Sequence, residues 1–111
     1  MSIQVSEKKG IVILQLSGKI MGGPEAGEIN NQINNLIDQG KIKIVIDMKD
    51  VEWVNSSGLG ILIGAITTLK NNNGLLSLIN ISDRVDNLLR ITKLQALFNI
   101  YPDLNSAINS M

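Results

Sequence analysis

Apolar and polar residues alternate at the start of the chain, around Ile3 and Val5, and after "KKG" at 8–10 the apolar positions run nearly unbroken from Ile11 to Leu16. Two such runs separated by a glycine-containing break read as strands joined by a tight turn, so a β-hairpin is expected to open the chain. After "GKIMGG" at 18–23, Pro24 has the fixed φ that suits a first helical turn. Ala26, Ile29, Ile33, Leu36 and Ile37 then recur at helical spacing until Gly40 stops the run. "IKIVIDM" at 42–48 is β-branched and nearly continuous, as in a strand covered on both faces, and its expected end is Asp47. A loop of about eight residues holding Val51 and Trp53 should follow. The next helix is expected to begin near Asn55 to Ser57, run to about Lys70, and close at "NNNG".

"LLSLI" at 75–79 predicts another short strand, and Ser82 an N-cap for a helix with Val85, Leu88 and Leu89 on its buried stripe. "LFNIY" near Phe98 predicts a last strand, and Pro102 the opening of a C-terminal helix carrying Leu104, Ala107 and Ile108. Strands alternating with helices after a hairpin imply an α/β fold, a small mixed β-sheet opened by a hairpin and backed by α-helices. With 111 residues, the expectation is one domain over 1–111, able to bury about two-thirds of the unfolded chain's surface.

Composition removes much chemistry from consideration. Ten basic and ten acidic side chains cancel, and only three aromatics are present, so the basic footprint of a nucleic-acid binder is missing. The lack of cysteine excludes disulfides, thiol catalysis and thiolate metal sites, and the lack of histidine removes the commonest general base and metal ligand. No catalytic residue, metal or cofactor is expected. "MSIQVSEKKG" has no apolar core of a signal peptide, and the apolar-plus-glycine run from Gly58 to Ile66 is too short for a bilayer that needs about 20 residues. A cytoplasmic protein with no membrane partner is the expectation.

The chemistry that remains is concentrated in "VEWVNSSGLGILIGA" at 51–65. Two serines fall at a helix N-terminus, where the first amide groups lack intrahelical partners and the dipole supplies roughly half a positive charge. Capping by Asn55 or Ser56 would use one polar side chain; two hydroxyls plus an amide exceed what one cap needs. Gly58, Gly60 and Gly64 each cost about 1 kcal/mol relative to alanine within a helix. Gly60 and Gly64 lie four apart on one face, and for Gly64 close packing on the sheet is the expected reason. Gly58, in the first turn, is expected to leave Ser57 open to a partner molecule. A nucleotide-phosphate turn is the alternative for "GLGILIG", yet the intervening loop and the absence of an acidic residue about 20 positions later fit it poorly. A serine hydrolase would need a histidine and a G-x-S-x-G elbow, and both are missing.

At these residues the chain resembles the STAS family, the sulphate transporter and anti-sigma factor antagonist domains, and in particular the free-standing bacterial antagonists. "IDMKDVEWVNSSGLGILIGA" is similar to the family signature of strand, aspartate, loop, acidic-or-Asn, Ser, Ser/Thr, Gly, Leu/Ile, Gly, and "LSGKI" with the following helix resembles its N-terminal block. The resemblance implies a STAS-type fold and an anti-sigma factor antagonist that regulates sigma-factor-dependent transcription without catalysis of its own. It also implies a switch in which Ser57, the hydroxyl residue before Gly-Leu-Gly, is phosphorylated by an anti-sigma factor acting as serine kinase and restored by a serine phosphatase. Asn55, Ser56, Ser57, Gly58, Leu59 and Gly60 then form the expected partner-binding segment, joined by Trp53 and Met21. A non-switching scaffold or regulatory domain of a transporter or signalling complex is the alternative within the family.

Two positions depart from the pattern. Asn55 stands where many members have aspartate, and Met21 where an acidic residue often ends the N-terminal block, so two carboxylates near the switch are absent. Trp53, the only tryptophan, reads as a core or loop anchor, with an interface anchor beside Ser57 as its functional alternative. Glu25 and Glu28 read as dipole-matched acids of a first helical turn, and Asn30, Asn31, Asn34 and Asn35 as a solvated face.

Overall fold

In the computed structural model the opening hairpin pairs β1 (Ser2–Lys8) with β2 (Ile11–Ile20), antiparallel from Ser2↔Ser17 to Lys8↔Ile11. Lys9 and Gly10, both at positive φ, make the two-residue turn that matches the twist of the flanking strands. The structure describes residues 1–111 apart from the side chain of Glu25, so the expected role of Glu25 lies outside the described residues. After the hairpin come α1 (Pro24–Asp38), β3 (Lys43–Val54), α2 (Ser56–Asn71), β4 (Leu75–Ile79), α3 (Asp83–Ile91), a 3₁₀ turn (Gln95–Leu97), β5 (Asn99–Tyr101) and α4 (Leu104–Ser110). The five strands lie in chain order, β1-β2-β3-β4-β5, with β2 through β5 parallel. This is the mixed sheet that the alternation of strands and helices predicts.

Each helix begins where its sequence signal places it, with one refinement. Pro24 occupies the first turn of α1 and Ser82 caps α3, its Oγ accepting from the Val85 amide at 3.2 Å. Pro102 lies before α4 instead of opening it; Asp103 is the cap, accepting from the Ser106 amide at 2.8 Å. Gly40, at φ +75°, follows the last turn of α1 as the left-handed residue that helix ends favour.

The expected loop after Asp47 is a strand. β3 runs on to Val54, and β2 runs beyond Leu16 to Ile20 to meet it, pairing Gly18 with Val51, Lys19 with Trp53 and Ile20 with Val54. Register shifts between Gln15 and Ser17 and between Gly18 and Lys19 each leave one extra residue on β3. Such bulges disguise the period-two pattern while keeping Val51 and Val54 buried. Asp47 sits at the first shift, where its Oδ1 accepts from the Lys49 amide at 3.0 Å and from Asn80 Nδ2 at 3.1 Å.

The sheet buries both faces unequally. Val12, Leu14, Leu16, Ile44, Ile46, Met48, Leu76 and Leu78 face a large core closed by Ile29 and Ile33 of α1, Leu62 and Leu69 of α2, and Val85 and Leu89 of α3. On the other face α4 covers a smaller cluster of Ile11, Ile13, Val45, Ile79 and Ala107. The central strand β3 is covered from both sides, which is why 42–48 reads as continuously apolar. No buried side-chain nitrogen or oxygen among the described residues lacks a hydrogen-bond partner.

Candidate functional site

The extended ends of β2 and β3 deliver two chain segments to one place: Met21–Gly23, which leads into α1, and Asn55–Gly60, which opens α2. Asn55 has extended backbone and caps α2, its Oδ1 accepting from the Gly58 amide at 2.7 Å. The same side chain donates from Nδ2 to the Met21 carbonyl at 3.1 Å, and the Asn55 amide donates to the Ile20 carbonyl at 3.3 Å. The expectation that Asn55 or Ser56 caps this helix resolves to Asn55, leaving both serine side chains exposed.

Gly58 and Leu59 change role. Gly58 is buried, and a Cβ added there would overlap the carbonyl oxygen of Ile20. Its glycine is required for close packing of α2 on the end of β2, not to leave Ser57 open to a partner. Leu59, 3% exposed, belongs to the core. Both residues set the position of the surface without forming it. Gly60 and Gly64 are corrected in the opposite sense: a Cβ at either would meet nothing within 4 Å, so close packing on the sheet does not explain Gly64.

Ser57 is exposed at the head of this turn, and Gly22 lies against it: a Cβ on Gly22, which has φ +96°, would stand 2.8 Å from Ser57 Cβ and 3.7 Å from Ser57 Oγ. Met21, 43% exposed, is next to that contact in the chain. Trp53 is a half-buried residue of β3, neither core nor loop, with the Arg84 guanidinium 5.1 Å from its ring centroid, within cation–π range. Glu28 and the asparagines Asn30, Asn31, Asn34 and Asn35 of α1 are exposed. Gly22 escaped sequence reasoning. The doubled glycine between strand and helix was its signal, but its contact with a serine far along the chain exists only in three dimensions.

The arrangement does not suit a phosphate-binding turn, since the Gly58 amide is taken by Asn55. A cleft of about 440 Å³ lies elsewhere, beyond the carboxyl ends of β4 and β5. It is lined by Asp83, Asp86 and Tyr101 among others, and its two carboxylates oppose an anionic nucleotide. No group of three or more acidic, histidine or cysteine side chains among the described residues could hold a metal ion, and no helix among them is long and apolar enough to cross a membrane.

The five-stranded mixed sheet with helices on both faces, and an exposed serine at the start of its second helix, defines the chain as a small α/β domain. Residues 2–107 match the STAS domain model, and the chain belongs to that family. Over its whole length it is 23% identical to an anti-sigma F factor antagonist of Paenibacillus polymyxa, covering 92% of that protein. Among solved structures, an anti-sigma factor antagonist from Mycobacterium paratuberculosis superposes with a TM-score of 0.82 at 24% identity, covering 98% of this chain and 92% of the other. The Bacillus cell fate determinant SpoIIAA in its phosphorylated form superposes with a TM-score of 0.73 at 21% identity, covering 98% of each chain. These structural likenesses establish the fold.

Proposed function

We propose that this chain is a non-enzymatic anti-sigma factor antagonist that binds an anti-sigma factor with serine-kinase activity and is switched off by phosphorylation of Ser57, with a serine phosphatase reversing the modification. The observation that carries this reading is the exposed Ser57 hydroxyl at a capped helix N-terminus, on a surface shared with Met21, Asn55, Ser56 and Gly60. Support comes from relatives named as anti-sigma factor antagonists and from a structural neighbour that exists in a phosphorylated form. Trp53 extends the proposed contact surface, while Gly58 and Leu59 hold it in place from beneath.

The physical effect of the switch follows from where charge is tolerated. A phosphoserine carries about −1.5 to −2 charges, and the first turn of α2 favours an anion locally. The domain therefore stays folded when modified. At a partner interface the same dianion must be desolvated, which costs several kcal/mol without a prepared counter-charge. Taking a complex from 99:1 bound to 1:99 requires about 5.5 kcal/mol, within reach of one buried phosphate.

With ATP and the partner kinase, one phosphate is expected, placed on Ser57 by fragmentation mass spectrometry; modification of Ser56 would reject the assignment. In titrations against the same partner, Ser57→Ala should bind like the native chain and Ser57→Asp more weakly, with Ser57→Gln between them. Equal weakening by Gln and Asp would show that bulk, not charge, breaks the complex.

A further inference from the structure

The Asn55 side chain bonds both to the first turn of α2 and to the Met21 carbonyl on the segment that leads into α1. We propose that Asn55 and Gly22 form a clasp that holds the Ser57 side chain in one orientation, making Asn55 a positioning residue for the switch. The proposal rests on the reading of Ser57 as phosphoacceptor.

One planar amide side chain performs two tasks. Its oxygen caps α2 through the Gly58 amide at 2.7 Å, and its NH₂ group ties down the Met21 carbonyl, 34 positions earlier in the chain, at 3.1 Å. Aspartate could perform the first task but has no proton for the second, and its other oxygen would face the Met21 carbonyl with like polarity. Serine would likewise cap without reaching across as a donor.

The tie matters because the residue after Met21 touches the switch. Gly22 adopts φ +96°, and its α-carbon lies so close to Ser57 that an added Cβ would stand 2.8 Å from Ser57 Cβ, with Oγ farther away at 3.7 Å. Backbone thus walls one side of Ser57, whose side chain is otherwise exposed. A residue with a Cβ at 22 would be strained at that φ and would push on Ser57 at once. The cap is neutral and the first turn of α2 holds no acidic residue, so a phosphate on Ser57 meets the helix N-terminus without a neighbouring carboxylate.

The test uses the unmodified full chain, so its result is separate from whether Ser57 is phosphorylated, which mass spectrometry decides. Three-bond Hα–Hβ couplings of Ser57 should report a single rotamer in the native protein. They should average in Asn55→Ser and Asn55→Asp, both of which keep an α2 cap. In the same two variants the amide order parameters of Gly22 and Gly23 should fall from about 0.85 toward 0.6 or below. Gly22→Ala should shift the Ser57 couplings most; because that variant risks misfolding, the two Asn55 variants carry the decision. Averaged Ser57 couplings in the native chain, or couplings and order parameters unchanged in both Asn55 variants, would overturn the clasp.

Discussion

Three glycines of α2 answer to different constraints. Gly58 has no room for a methyl group because the Ile20 carbonyl occupies the space, and that oxygen is fixed by the β2–β3 pairing and by the Asn55 amide. Gly58→Ala should therefore destabilise the fold by about 3 kcal/mol or more, since backbone cannot move aside as a flexible side chain can. Gly60 and Gly64 meet nothing, so Gly60→Ala and Gly64→Ala should each stabilise by roughly 0.5–1 kcal/mol through helix propensity alone. Urea titrations of the three variants check the contrast. Weaker partner binding by the stabilised Gly60→Ala variant would mark that residue as a contact of the proposed interface.

At the scale of elements, the helices that follow β3, β4 and β5 differ in the charge at their N-termini. α2 is capped by neutral Asn55, whereas α3 carries Asp83 and Asp86 and α4 is capped by Asp103. Hydrogen bonds from the Ser106 backbone and then its side chain hold the Asp103 carboxyl below its ordinary pKa of 3.8. A carboxylate whose folded pKa is depressed contributes stability above its unfolded value and loses it as pH falls through the folded one. Protection factors of α4 amides, taken against intrinsic exchange, should therefore fall as the solution is acidified below about pH 4, more than those of α2 amides do. Asp103→Asn, which caps without titrating, should flatten that pH dependence. Hydrogen exchange followed by NMR compares the native chain with this variant.

Over the whole molecule, β3 joins the two hydrophobic layers: Ile44 and Ile46 face α1, α2 and α3, and Val45 faces the cluster under α4. Neither layer can be lost without uncovering the strand that the other needs. Ile46→Ala, at a fully buried position, should cost about 2–5 kcal/mol. It should leave unfolding cooperative, with Trp53 fluorescence and far-UV circular dichroism following one transition. Separate transitions would show that α4 and its cluster form an independent unit. The same coupling places the proposed switch segment on a rigid base, because Asn55–Gly60 continues directly from β3.

Legibility from sequence follows the range of the forces involved. The hairpin turn, the Pro24 and Ser82 helix starts, the stop at Gly40 and the buried run of β3 are decided by neighbours within a few residues, through φ restrictions, capping and periodicity. Sequence alone therefore determined the α/β order of elements and the helix N-terminus on which Ser57 sits. The second half of β3 was hidden because two bulges break the alternation that marks a strand. The jobs of the glycines were hidden because Gly58 is constrained by Ile20, and Gly22 touches Ser57, across gaps of more than 30 residues. Asn55 read as one of two cap candidates and as part of the partner-binding segment, and its reach to the Met21 carbonyl is visible only in the folded chain. Those assignments belong to the tertiary structure because close contact and hydrogen-bond geometry depend on where the folded chain returns, a quantity that no local pattern encodes.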